Sequence, residues 1–170
     1  VLRRDARPAL YRVHTDFAIG GSAHTRRGVL ARIRLHRYED GVVLPHERTL
    51  SAPKEDRFRL FCATAMNLSP IFVLYDDPKD ELMGLLAPAA EPLAHFEDAD
   101  AVEHRIGRVT DAERLREALA KLRAGKLLIA DGHHRYETAL RYRDHVDQER
   151  SKEGLAAAGP HAAHRYVLAY

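Results

Sequence analysis

Between Arg27 and His36 the chain alternates with a period of two. Val29, Ala31, Ile33 and Leu35 fall on one side, and Leu30, Arg32, Arg34 and His36 on the other. A helix, which repeats every ~3.6 residues, cannot hold such a set on one face, so the segment is predicted to be a strand. A second apolar run, Ala9 to Ile19, carries Leu10, Tyr11, Val13, Phe17 and Ile19 and ends at Gly20-Gly21-Ser22. Two strands joined through a glycine pair predict an antiparallel hairpin near the amino-terminal end.

The rest of the chain mixes the two periods. Asp40-Gly41 marks a turn, and Val42 to Leu44 reads as a short strand ended by Pro45. Ser51 to Met66 is predicted helical, with Ser51 as N-cap, Pro53 in the first turn, and Phe58, Phe61, Cys62, Ala65 and Met66 facing inward. Pro70 to Tyr75 is a nearly continuous apolar run bounded by Asp76-Asp77-Pro78, the pattern of a strand buried on both faces. A short helix is expected over 80–90 and a strand over 104–109. Thr110-Asp111-Ala112-Glu113 matches a capping box with Thr110 as the cap, opening a helix that carries Leu115, Leu119 and Leu122 and stops at Gly125. Lys126 to Ala130 is a buried strand, and a helix follows from His133 to Glu149 with Tyr136, Ala139, Leu140 and Val146 inward. Residues 151–164 read as a loop, and the closing run to Tyr170 as a strand. The fold class is α+β: a mixed sheet with flanking helices and an amino-terminal hairpin.

Composition sets the remaining bounds. With 170 residues, 45% hydrophobic and 31% charged, the chain has the makeup of one globular domain over 1–170 with a real core. Its 27 basic residues against 25 acidic ones leave a net charge of only +2, which does not call for a nucleic-acid partner, since such binding normally shows as a clustered basic face. The single cysteine, Cys62, excludes an internal disulfide and reads as a buried small hydrophobe. No run approaches the ~18 apolar residues of a membrane span, and no signal peptide is visible, which points to a cytoplasmic setting. The chain opens at Val1 rather than Met and closes on an unfinished strand, so a fragment truncated at both ends is expected.

The densest polar cluster, Asp131-Gly132-His133-His134-Arg135, lies where a buried strand hands over to a helix. The first turn of a helix has free N–H groups and the positive end of the helix dipole. Gly132 allows a tight turn, Arg135 offers a planar fork, and His133 and His134 add donors. Together they predict a cradle for a phosphate. The bland alternative makes Asp131 the N-cap and pairs Arg135 with Asp131 at i, i+4 spacing.

The stretch "IADGHHRYETAL" resembles the signature of an uncharacterised bacterial family related to the ParB/SpoOJ chromosome-partitioning and sulfiredoxin superfamily. "TRRGVLARIRL" and "LPHERTLSAPKEDRFRLFCATAMNLSPIFVLYDD" resemble the same family. The resemblance implies a ParB/sulfiredoxin-like fold and contact of Gly132, His133, His134 and Arg135 with nucleotide phosphates. Free-serine kinases of that superfamily carry a similar D-G-H-H-R. The implied activity is therefore a small-molecule kinase or phosphotransferase using ATP or ADP with Mg²⁺ on a serine-like hydroxyl. Asp131 would cap the helix or position a metal or hydroxyl. His133 stands where sulfiredoxins have their cysteine, so sulfinic-acid reduction is not implied. Nothing resembles the ParB helix-turn-helix.

The second cluster, His46-Glu47-Arg48, precedes the 51–66 helix. Glu47 is a candidate general base toward a hydroxyl, with His46 beside it, and Arg48 or Lys54 would hold anionic oxygens. The alternative is a salt-bridged loop. Asn67 to Pro70 either lines the same pocket or only stops the helix. His46, His133, His134 and Asp131 include metal-ligating types, but no H-E-x-x-H or H-x-H spacing occurs. No dedicated metal site is expected. Two further functions stay open: a nucleotide- or phosphate-sensing module without turnover, and a metal-dependent hydrolase.

Overall fold

A computed structural model describes residues 5–47 and 52–170. The chain is α+β, with eight strands and four α-helices among the described residues. Its contacts group into two compact units, Val1–Ala31 with Asp76–Gly125, and Arg32–Tyr75 with Lys126–Tyr170.

The first unit is built on the predicted hairpin. β1 (Leu10–Ile19) pairs antiparallel with β2 (Ser22–Arg34), and Ile19 faces Ser22 across the turn. Gly20 and Gly21 both have positive φ, 57° and 81°, as a two-residue turn between twisted strands requires. β6 (Glu103–Val109) runs antiparallel along the other side of β1, and β5 (Ala90–Glu97) along β6. Two helices complete the unit: α2 (Glu81–Leu86) and α3 (Ala112–Ala124). Leu10, Val13, Leu82, Met83, Leu86, Val109 and Ala118 are its buried apolar residues.

The cap of α3 is Asp111, one residue later than the capping-box pattern predicts. Its carboxylate accepts the N–H groups of Glu113 (3.1 Å) and Arg114 (2.9 Å). An aspartate competes well with threonine for this position because a carboxylate also meets the positive end of the helix dipole. Asp111→Ala is expected to cost about 1 kcal/mol of stability in urea denaturation, and Thr110→Ala less than about 0.5 kcal/mol. Equal costs would contradict the assignment. Gly125 ends the helix in an extended conformation rather than a left-handed one.

The second unit has a three-stranded sheet in the order β3-β7-β4. β3 (Val43–Leu44) runs parallel to the central β7 (Leu127–Asp131), and β4 (Phe72–Tyr75) antiparallel to it. β8 (Tyr166–Ala169) joins through Ile71, which bridges to Ala169. Two helices, α1 (Ala52–Thr64) and α4 (His133–Lys152), pack together through Phe58 on His145 and Phe61 on Tyr142. The core gathers Leu35, Val43, Ile71, Ile129, Tyr136, Ala139, Val167 and Ala169.

Three expectations change in this unit. Cys62, Ala65 and Met66 are exposed, because α1 ends at Thr64 and, of its described side chains, turns only Phe58, Phe61 and Thr64 partly inward. β4 is not buried on both faces, since Leu74 is half exposed. In β7, Ile129 is fully buried while Leu128 is partly exposed, the one-sided pattern of an alternating strand. The proposed Ser51 cap lies outside the described residues. No helix among the described residues is long and apolar enough to cross a membrane.

Candidate active site

The parallel pairing of β3 with β7 decides what meets at the site. Val43 faces Leu127 and Leu44 faces Leu128, so both strands run out at the same edge of the sheet. Residues 45–47 leave one strand there and residues 131–133 the other. The two polar clusters, 87 positions apart, are thereby brought into contact.

His133 sits at the first position of α4 and is 1% exposed. Its Nε2 accepts the backbone N–H of His46 at 3.3 Å. That bond places the proton of the neutral ring on Nδ1. A carboxylate oxygen of Glu47 lies 3.0 Å from Nδ1. It stands off the axis of the N–H, so Nδ1 is buried without an aligned hydrogen bond. A small rotation of the half-exposed Glu47 side chain would align the pair. His46 packs edge-on against His133, with ring centroids 4.5 Å apart. Its Nδ1 donates to the carbonyl of Ile129 at 2.6 Å, which leaves Nε2 as a free acceptor.

Burial pushes the His133 pKa below the usual 6.5, and the His46 ring adds to this, while the carboxylates of Glu47, Glu137 and Asp131 pull the other way. A histidine depressed in the folded state takes its proton first in the unfolded chain. The stability gained by keeping it neutral is complete above about pH 6.5 and is lost as the pH falls from there toward the folded value. Urea midpoints at pH 7.5 and pH 5 are expected to fall with acid, and His133→Gln should flatten part of that fall. An unchanged slope in the variant would count against the depressed value.

The junction at Gly132 has the expected backbone and an unexpected arginine. Gly132 is the N-cap of α4 at φ 95°, with no side-chain cap on the first turn. Asp131 therefore does not cap the helix. It pairs with Nη2 of Arg135. The other arm of that guanidinium donates to Ser69 Oγ (2.8 Å) and to the carbonyl of Pro70. The guanidinium lies folded over Gly132, where an added Cβ would stand 3.0 Å from three of its atoms. Two of the expected phosphate-binding donors are thus already turned toward protein acceptors. A cavity of about 50 Å³ opens beside Arg135, lined also by Arg57, Asn67, Leu68 and Ser69. It has room for about one oxyanion or a water or two. Asn67 to Ser69 thus line a pocket with Arg135, while the helix has already stopped at Thr64, where Ala65 turns left-handed at φ 51°. His134 Nε2 is buried without a hydrogen-bond partner. Arg48 lies outside the described residues, and no side-chain position is described for Lys54.

His46, Glu47 and His133 each offer an atom within 4.8 Å of the others, a set that the sequence spacing did not reveal. The lone pair of His133 Nε2 is taken by the His46 N–H, so the nitrogen that faces Glu47 is the protonated Nδ1, which would have to lose its proton to ligate a metal. Sequence reasoning missed the Ile129 carbonyl that fixes His46, because a backbone acceptor has no residue signature.

The molecule is an α+β protein in which a carboxylate stands beside a neutral, buried imidazole at an uncapped helix start, an arrangement chemically able to accept a proton. The chain belongs to the family described as a protein of unknown function, DUF1015, whose pattern it matches over residues 1–170. No curated protein and no solved structure matches it.

Proposed function

We propose that this chain carries a phosphoryl-transfer site of the small-molecule kinase type, with Glu47 as general base and the start of α4 as phosphate cradle. The observation that carries the reading is the meeting of Glu47 with His133 at the uncapped first turn of α4. A substrate hydroxyl placed against Glu47 would lose its proton to the carboxylate. Its oxygen would bond to the terminal phosphorus as the bridging P–O bond to the nucleotide breaks, and the electron pair would leave on the nucleoside phosphate. The His133 Nδ1–H would hold the carboxylate in position. The amides after Gly132 would receive the transferred oxygens.

The residues fit a nucleotide delivered with Mg²⁺: Glu47 and Asp131 are exposed carboxylates at the mouth of the cradle, and Mg²⁺ needs only one or two such ligands. The ion would neutralise the phosphate charge. Arg135 would join only by exchanging Ser69 or Asp131 for a phosphate oxygen. The resemblance of "IADGHHRYETAL" to the D-G-H-H-R of free-serine kinases supports a serine-like acceptor, a ParB/sulfiredoxin-like ancestry and a cytoplasmic setting. The test is phosphorus NMR of the protein with ATP or ADP, Mg²⁺ and L-serine. A new phosphomonoester resonance is expected. Nucleotide-dependent stabilisation with no product would favour the sensing module. Stoichiometric metal in the purified protein, with ester hydrolysis, would favour a hydrolase built on His46, Glu47 and His133.

A further inference from the structure

The first unit holds a second polar concavity, separate from this site. On one face of its sheet, strand register aligns Arg27 (β2), His14 (β1), Arg105 (β6) and His95 (β5) in a single cross-strand row. Arg12 stands next to that row on β1, opposite Gly107. A cavity of about 350 Å³ lies there between Arg12, His14, His95 and Arg105, with Pro92, Ala94 and Gly107 in its wall. Gly107 lets the neighbouring strand approach closely, since an added Cβ would stand 2.9 Å from Ala90 Cβ.

Cations crowded across neighbouring strands repel one another. Arg27 and Arg105 are relieved by Asp80 and Asp16, and His95 by Glu103. Arg12 has no carboxylate partner among the described residues. Its Nε donates to Nε2 of the His14 ring at 2.9 Å, and among the described residues that neutral ring is its one hydrogen-bond partner. The remaining donors of a planar fork are unspent, at the lip of a cavity of ligand size. Burial and then the charges of Arg12, Arg105 and Arg27 push the His14 pKa down, against the pull of Asp16. Arg12 itself is pushed down by burial, Arg105 and Arg27. In both, burial leads and the neighbouring guanidinium charges add to it.

We propose that this groove binds a small organic anion, a carboxylate or a phosphate monoester, gripped by the Arg12 guanidinium. The cavity suits a small molecule. An extended polyanion would run into Asp16 and Glu103, which flank the row on the same face.

The test follows the imidazole signals of His14 by NMR in the intact chain, with inorganic phosphate in one arm and benzoate in the other. Saturable binding below about 10 mM is expected in at least one arm, with the His14 pKa rising as the anion offsets the arginines. Arg12→Gln should weaken that binding about tenfold or more. It should not lower the melting temperature, because it removes a repulsive charge. Arg12→Lys keeps the charge without the fork and should bind between the two. No saturable shift in either arm, or binding indifferent to Arg12→Gln, would overturn the proposal. So would a His14 response to a single-stranded oligonucleotide alone. A phosphate effect confined to residues 131–135 would belong to the other site and would also count against this one.

Discussion

Glutamine in place of Glu47 is expected to slow phosphoryl transfer by about two to four orders of magnitude, the usual worth of a positioned general base. The amide keeps the size and the hydrogen-bonding reach of the carboxylate but cannot take the hydroxyl proton. The side chain is about half exposed, so the fold should be retained. Nucleotide-dependent stabilisation should survive as well, since the phosphates are held by the start of α4. His133→Gln is the companion variant. It removes the group that positions the carboxylate, so it should lower turnover less and change its pH profile. Steady-state rates across pH 5 to 9 separate the two. If Glu47→Gln retains full activity, the proton leaves by another route and the assignment is wrong.

The largest expected loss of stability lies at Tyr136. Its ring is fully buried and stacks on Tyr38 at 5.6 Å. Its hydroxyl donates to the His36 carbonyl at 2.8 Å and accepts the His36 N–H at 3.0 Å. One side chain thereby satisfies both backbone groups of the residue that follows the buried Leu35, and it ties α4 to the segment between β2 and β3 within the second unit. Burial pushes the phenol pKa up to about 12, so the hydroxyl keeps its proton at any physiological pH. Tyr136→Ala is expected to cost about 3–5 kcal/mol, from lost burial and a cavity. Tyr136→Phe keeps the ring but leaves two backbone groups unpaired, at about 1–3 kcal/mol. Urea denaturation measures both. A loss below about 1 kcal/mol in the alanine variant would show that the ring is not part of the core.

The hairpin was legible because alternation and a glycine pair are local signals, each enforced by sterics within a few residues. The helix over 133–149 was legible for the same reason, although the α4 core face gains His133 and Thr138 beyond the apolar positions. Capping slipped by one position because Thr110 and Asp111 are both good caps, and only the backbone decides between them. Cys62 was misread because helical spacing marks a face without saying how wide it is, and α1 buries only a narrow stripe.

The candidate site was legible in its parts and not in its assembly. The D-G-H-H-R turn and the His46-Glu47 pair stand out as polar clusters beside apolar strands. What brings them together is the parallel register of β3 on β7, which no local pattern encodes. Arg135 shows the converse. Its i, i+4 pairing with Asp131 was written in the spacing, whereas its reach to Ser69 and Pro70 depends on where β4 begins.

The central claim is that the amides opening α4 and the Glu47 carboxylate face one bound phosphate. Amide NMR of the intact chain, titrated with ATP or ADP and Mg²⁺, tests it most directly. The claim predicts saturable shifts concentrated at Gly132, His133 and His134 together with Glu47. Shifts that leave these four residues unmoved while nucleotide binds elsewhere, or no binding at all, would contradict it.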